Sequence, residues 1–549
     1  MSTIALRRPH VLSLSVGAAL ARQPALWVAV LAFVLYLPPA VSVIQLDPDS
    51  AEFIDIARRL VAGEGFTLGI RAYHVGEPEV VHDALERRSP LYPLVVAAIL
   101  RAGFGPHALQ VFNALLASAA AALICAIGTS LFDRRTGTLA GLLAAISPPM
   151  LIFMVPPMTE ALAIFLTLLA AWLLVRNLND PRPWPFASAG AALGLGYLTR
   201  PMTAVLVGAL LFGVVTATRY KRTLLRPVAT LLVGLGIFVV PITLHALVTS
   251  GSLTSSRQTY LYAVYESTDV HRNASLEPVA TPIEFILANR EFVADAALEN
   301  ARDYAAMLFL SNKWLLPLLP AWPLAVLALF RGMYPRAAWL ILLLAAANFI
   351  FYSLTWAPWA RRYQLLTLLC LLPFAVDGLA RLGLARLKLP VWRPITTLHL
   401  AVVAVAVMWL PAFVEEYRGT FRYGDYPVRT RSYEQIRWTG AVAWVEDRDI
   451  GEILDWIKTH TGPDDILAHP LPEIYTFFTE RPSTRLPRRL DPETLRAFLV
   501  DHRVAYVLLN NYDGYRRRYQ SDLEALELHG VRVIPVGEYR VFDTRALWH

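Results

Sequence analysis

The segment QLDPDSAEFIDIARRLVAGEGF, which starts at Gln45, sets Asp47, Asp49, Glu52 and Asp55 within nine residues, directly after an unbroken apolar run. Carboxylates this close can share a proton or bind a divalent cation. They can also serve the backbone, with Asp47 as N-cap and Pro48 in the first helical position, or Asp49 as N-cap and Glu52 three residues on. One aspartate can cap while the other reacts. Another acid, Glu160, follows Pro156 and Pro157 and opens a further apolar run. It either stabilises that helix N-terminus or lines the same cavity as the aspartates. Arg88, Arg200, Arg361 and Arg362 stand at the ends of apolar segments, with Tyr363 next to the last pair. Singly, such arginines snorkel to the interface; converging on one face, they would clamp a lipid phosphate. Tyr363 would add a hydrogen bond or an interfacial aromatic.

These groups need a scaffold, and the composition says which kind. Of 549 residues, 56% are hydrophobic and 17% charged, against 45–50% and ~25% in a soluble globular protein. Many runs approach the ~20 apolar residues that cross a bilayer. The fold class expected is an α-helical polytopic membrane protein of about eleven transmembrane helices, with interfacial helices and a C-terminal extracytoplasmic α/β domain. The spans are placed near 25–44, 107–131, 138–155, 159–175, 186–199, 202–218, 227–248, 307–330, 337–356, 363–380 and 395–413. The first is too long for a cleaved signal and leads straight into others. SPLYPLVVAAILRAGFG (89–105) is too short to cross and holds Pro90 and Pro93, so it reads as an interfacial or half-buried helix.

The N-terminus and alternate loops hold about seventeen Lys/Arg against two acids, Asp133 and Asp180. The net charge of +7 therefore reports topology and needs no nucleic acid. This asymmetry places those loops in the cytoplasm, and the loops 45–106 and 249–306 with the C-terminus on the other side. The arginines singled out above are exceptions to it. Cys125 and Cys370 both fall in apolar runs, which argues against a disulfide framework or zinc site.

From Asp49 onward, Phe53, Ile56, Ala57, Leu60 and Val61 recur with helical spacing, while Glu52, Asp55, Arg58 and Arg59 take the other face. Such a helix lies on the membrane surface and stops at the glycines of AGEGF. Asp49 shares the apolar stripe, so its carboxylate faces protein or lipid. Past residue 413 the long apolar runs end. IGEILDWIKTHTGPDDILAH reads as helix, turn and strand, and RVAYVLLNN and GVRVIPVGEYRVFD as strands. The chain thus divides into a transmembrane unit, 1–413, and an α/β domain, 414–549. His74, His82 and Asp83 could bind a metal, although their spacing is that of ordinary loop residues. The polar, tyrosine-rich loop 249–306 is placed as a lid or cover.

The pattern D-x-x-x-[FY]-x-x-x-A after the first span resembles the polyprenyl-phosphate-sugar-dependent glycosyltransferases of the GT-C class, notably the protein O-mannosyltransferase and aminoarabinose-transferase group. RRSPLYPLVVAAIL, ISPPMLIFMVPPMTEALAIFLTLLAAWLLV, GYLTRP, RRYQLLTLLCLLPFAV and ILDWIKTHTGPDDILAHPLPEIYTFFTERPS resemble later segments of that group, in order. The resemblance implies an inverting transfer of a sugar from a polyprenyl-phosphate donor to an acceptor hydroxyl on the extracytoplasmic face, in a bacterial plasma membrane. It implies Asp49 as general base and Arg88 near the donor phosphate. Members of the group often carry Asp-Glu where this chain has Asp49-Ser50, so Asp47 shares or replaces the role. Glu160 would join the catalytic acids; Arg200, Arg361, Arg362 and Tyr363 would bind substrate. The partners implied are the lipid donor, the bilayer, and a glycan, lipid or protein acceptor. The competing reading is a transporter or flippase of a polyprenyl-linked sugar or glycan. That class more often shows internal repeats and broken midplane helices, whereas here the ionisable residues gather at one face.

Overall fold

The computed structural model describes residues 23–42, 44–71, 84–86, 88–217, 224–250, 287, 290–355, 361–381, 397–419, 428–430, 447–469, 472–486, 491–510, 530–537 and 539–548. Among them, seven helices are long and apolar enough to cross a bilayer: Pro24–Ser42, Pro106–Leu131, Thr159–Asn177, Leu225–Thr249, Ala338–Thr355, Arg361–Arg381 and Leu398–Glu415. Arg134–Ile146 and Pro148–Met154 make an eighth if the pair, bent by 56°, is one span. Pro148 and Pro149 explain the bend, since neither can donate into the helix ladder.

Several of the remaining expected spans are shorter or broken among the described residues. Pro183–Thr199 and Thr203–Ala217 have 17 and 15 described residues, the short end of what a crossing takes. The run 307–330 is not one helix. A helix Arg290–Leu310 ends there, a 3₁₀ turn Leu316–Ala321 follows, and a short helix Trp322–Phe330 completes it. Pro317, Pro320 and Pro323 prevent a continuous ladder. The same helix takes up the end of the segment expected to be a lid; the rest of that loop lies outside the described residues. Helices pack closely where side chains vanish. A Cβ at Gly190 would strike the carbonyl of Leu231, and one at Gly234 that of Ala187, so Pro183–Thr199 and Leu225–Ser250 can nearly touch backbones.

The acidic segment forms a helix, Pro48–Ala62, stopped by Gly63 at φ 85°, a left-handed position glycine takes without strain. Phe53, Ile54, Ile56 and Ala57 are buried. The opposite, polar face is also buried in part: Glu52 is 1% exposed and Asp55 7%. The first loop folds back over them. Arg88 meets Glu52, while the Gly69 amide and Arg59 meet Asp55, so neither acid is left unpaired. The segment after it forms a helix Leu91–Arg101, with Tyr92, Pro93, Val96 and Ala97 buried.

Two sheets tie the chain's distant parts together. Strand β1 (Ile44–Leu46) pairs in parallel with β3 (Val428–Thr430), joining the exits of the first and last long helices. The second sheet has six strands in the order β2-β5-β4-β6-β8-β7. Four run parallel: β2 (Ile70–Arg71), β5 (Ser483–Arg485), β4 (Ile466–His469) and β6 (Val504–Asn510). β8 (Tyr539–Asp543) is antiparallel to β6 and forms a hairpin with β7 (Arg532–Val536). Both faces are covered, as parallel sheets require. Ile453, Leu454 and Ile457 of the helix Asp447–His460 pack on one side; Leu495, Phe498 and Leu499 of Pro492–Asp501 pack on the other. The edge strand β2 comes from the first loop, so this sheet spans the division drawn at residue 413. The short helix Glu473–Thr479 rests on the acidic helix, where Arg58 donates to the Phe477 carbonyl at 2.8 Å.

Candidate active site

The acidic helix begins with a capping box. Asp47 accepts from the Asp49 amide at 3.1 Å, and Ser50 accepts from the Asp47 amide at 3.3 Å. Of the two caps open from sequence, the fold takes Asp47, with Pro48 first in the helix. Asp49, one residue into the turn, has its carboxylate free for side-chain partners.

Those partners are two of the arginines singled out by position. Arg88 Nη2 lies 2.6 Å from Asp49 Oδ1, and its Nε lies 2.5 Å from Glu52 Oε2. Arg362 Nη2 lies 2.5 Å from Asp49 Oδ2, and its Nη1 is 3.4 Å from Asp47 Oδ2. Its Nε is 3.1 Å from Glu160 Oε1, which Arg200 Nη1 also meets at 2.7 Å. Glu160 is therefore paired with two arginines and lines the same cluster as the aspartates. Its other oxygen, Oε2, is buried with no hydrogen-bond partner among the described residues.

Burial disfavours the charged form of Asp49, but the Arg88 and Arg362 guanidiniums outweigh it and hold the carboxyl far below the usual carboxylate range. Asp55 goes the other way: burial raises it against the pull of Arg59 and the Gly69 amide. Exposure also separates the acids. The Asp49 side chain is 23% exposed, against 7%, 1% and 2% for Asp47, Glu52 and Glu160. The acid that substrate can reach is Asp49.

Beside Arg362 lies a half-open cleft lined among others by Glu160, Thr167, Arg200, Asn348, Tyr352 and Tyr363. Tyr352 and Tyr363 stack at 4.4 Å between ring centroids, 7° from parallel, and Arg200 sits 4.7 Å over the Tyr363 ring. The Asn348 amide holds the Tyr363 carbonyl at 2.9 Å. Tyr304, from the helix Arg290–Leu310, closes the aromatic cluster. The arrangement combines a carboxylate able to take a proton, guanidiniums able to bind an anion, and an aromatic wall.

Sequence position thus singled out Asp47, Asp49, Glu160, Arg88, Arg200, Arg362 and Tyr363, and the fold gathers all seven. Arg361 makes no ion pair with any described residue. Glu52 was missed as a site residue, although it sits one helical turn from Asp49 and holds Arg88. Tyr352 and Asn348 carried no signal, being polar or aromatic residues inside an apolar run, and Tyr304 was placed with the polar loop 249–306. No three His, Cys, Asp or Glu side chains among the described residues converge to hold a metal. His74, His82 and Asp83 lie outside those residues.

With this geometry in hand, the comparisons are decisive for the fold. The crystal structure of ArnT from Cupriavidus metallidurans bound to undecaprenyl phosphate superposes with a TM-score of 0.59, over 94% of this chain and 97% of that one, at 13% identity. The chain has the GT-C fold. A second GT-C structure, the archaeal oligosaccharyltransferase AglB from Archaeoglobus fulgidus in complex with an inhibitory peptide and a dolichol-phosphate, matches with a TM-score of 0.58. That match covers 94% of this chain and 74% of that chain at 11% identity. The arabinofuranosyltransferase AftD from Mycobacteria gives 0.52 at 16% identity, over 95% of this chain and 40% of the larger one. The family model described as dolichyl-phosphate-mannose-protein mannosyltransferase matches residues 87–245, which include Arg88, Glu160 and Arg200. No curated protein matches the chain by sequence. These GT-C neighbours and the apolar spans make it an integral membrane protein.

Proposed function

We propose that the protein is an inverting glycosyltransferase that moves a sugar from a polyprenyl phosphate to an acceptor hydroxyl, on the extracytoplasmic face of a bacterial plasma membrane. The observation that carries the reading is the Asp49 carboxylate set between Arg88 and Arg362, at the end of the first long helix. It places a proton acceptor and two anion-binding guanidiniums within one hydrogen bond of each other, where a lipid-borne phosphate is confined.

The step follows from those groups. The acceptor oxygen attacks the anomeric carbon from the side opposite the phosphate, and its proton passes to an Asp49 oxygen. The bond from the anomeric carbon to the phosphate oxygen breaks, its electron pair leaves with the phosphate, and the configuration inverts. Arg88 and Arg362 stabilise the charge that develops there. The Glu160–Arg200 pair fixes Arg362 from behind, and the aromatic wall packs against the donor. The match to ArnT bound to undecaprenyl phosphate supports the donor class, and the family model supports glycosyl transfer. The positive loops support a cytoplasmic N-terminus.

The test is binding and slow hydrolysis of a panel of radiolabelled polyprenyl-phosphate sugars by the full chain in nanodiscs. One preferred donor, bound and slowly hydrolysed, is the expected result. Absence of binding to every donor by well-folded protein would overturn the reading, and tight binding with neither hydrolysis nor transfer would overturn it in favour of transport.

A further inference from the structure

Each oxygen of the Asp49 carboxylate accepts from a guanidinium, which lowers its basicity and leaves one lone pair per oxygen for a hydroxyl. Oδ1 faces Arg88 Nη2 at 2.6 Å and Oδ2 faces Arg362 Nη2 at 2.5 Å. A carboxylate takes a hydroxyl proton only through an oxygen that can face that hydroxyl, and a guanidinium is a donor alone. The proposed reading also requires these two guanidiniums at the donor phosphate. They cannot serve both partners at full strength.

The way they are anchored resolves the conflict. Arg88 is held by a hydrogen bond from its Nε to Glu52, and Arg362 by an ion pair that sets its Nε 3.1 Å from Glu160, both glutamates almost completely buried. Each arginine offers its outer Nη2 to Asp49, the most exposed acid of the group. The inner contacts can persist while the outer ends turn to a new anion. We propose that Arg88 and Arg362 latch the Asp49 carboxylate in the donor-free protein, and that the donor phosphate releases it by drawing their Nη2 ends onto itself. The donor then binds before any acceptor is deprotonated. This inference rests on Asp49 being the base.

The surrounding charges favour such a switch. Arg88 faces Asp49 from the first loop and Arg362 from the turn before Leu365. Asp47 and Glu52 share its helix, and Glu160 and Arg200 stand behind Arg362. Four carboxylates already oppose three guanidiniums, so an added phosphate deepens the negative excess and favours a proton on Asp49. Latched as it is, Asp49 sits far below its ordinary range, too weak a base for a hydroxyl; unlatched, it approaches a useful one.

The test is an isotope-edited infrared titration of the Asp49 carboxyl in ¹³C-aspartate-labelled full chain in nanodiscs, with Asp49→Asn subtracted. It is run with and without sugar-free polyprenyl phosphate, whose binding is measured in parallel. The titration midpoint is expected to rise by at least about one pH unit with the lipid phosphate, roughly a tenfold change in proton affinity. Arg362→Gln should raise it without lipid, and Arg88→Gln gives the same readout should that variant not fold. An unchanged midpoint with polyprenyl phosphate demonstrably bound would overturn the latch and leave the donor reading standing. No binding of polyprenyl phosphate would overturn the donor reading, and the latch with it.

Discussion

The Asp47 side chain accepts a hydrogen bond from the backbone amide of Asp49, 3.1 Å away. Two aspartates two residues apart are thereby given different work. Asp47 satisfies an orphan amide at the helix start, and Asp49 turns its carboxylate to Arg88 and Arg362.

That division predicts different outcomes for similar changes. Asp47→Asn keeps a capping side chain, so its melting temperature should stay near wild type, whereas Asp47→Ala should lose about 1 kcal/mol. Asp49→Asn should keep the fold and donor binding while cutting sugar transfer by about 10²–10⁴-fold, the usual contribution of a general base. Transfer assays on the three variants check this. Near-wild-type transfer by Asp49→Asn would remove it as the base.

Glu160 accepts from Arg200, forms an ion pair with Arg362 and is 2% exposed. Glu160→Ala leaves the partly buried Arg200 facing Arg362, which keeps Asp47 and Asp49, so the cost should fall below the ~3–5 kcal/mol of a fully broken buried pair. Glu160→Gln keeps an acceptor oxygen and should cost less. A double-mutant cycle with Arg200→Gln, read by thermal unfolding in detergent, should show coupling; strict additivity would mean the pair contributes nothing.

Arg58 joins the acidic helix to the six-stranded sheet unit through the Phe477 carbonyl, with its guanidinium 5.0 Å over the Phe477 ring. Removing a charged donor of this kind costs about 1–3 kcal/mol. Arg58→Ala should speed amide hydrogen exchange in 473–479 and 48–62 while leaving the strands 504–510 protected. Uniform acceleration across the sheet would instead indicate global destabilisation.

Acid should weaken the protein through Asp49. Its folded-state proton affinity is depressed, so the stability it contributes is present above the unfolded value, near pH 3.9, and is lost as pH falls towards the folded value. Melting temperatures between pH 6 and pH 3 should drop more steeply for wild type than for Asp49→Asn. Asp55 is raised and acts in the opposite sense, its contribution being present below the unfolded value and lost as pH rises through the folded one. Parallel curves for the two proteins would show that Asp49 is not the group responsible.

Much of this protein is legible one residue at a time. The apolar runs locate the long helices because crossing lipid demands about 20 apolar residues wherever they occur. The arginines stand out because charge at an apolar boundary is costly without a reason. The start of the acidic helix is narrowed to Asp47 or Asp49, and its end is placed at the glycines after Ala62, because caps are local hydrogen bonds. Strands β4, β6, β7 and β8 and the helix Asp447–His460 lie where periodicity put them.

What the chain could not declare alone is which parts meet. That Glu52 and Asp55 are buried depends on the first loop folding back over the polar face of their helix. That Ile70–Arg71 becomes the edge of a sheet completed some 400 residues later depends on parallel pairing, which leaves no local trace in a two-residue strand. The ion network is the clearest case. Arg362 and Asp49 are 313 residues apart, and nothing in the spacing of either predicts the contact, because long-range pairing is set by how helices pack. Sequence determined the kinds of groups present and the membrane boundary that holds them. Tertiary structure decided that Asp49, rather than Asp47, stands between the two arginines, where a phosphate and a proton can compete for the same charges.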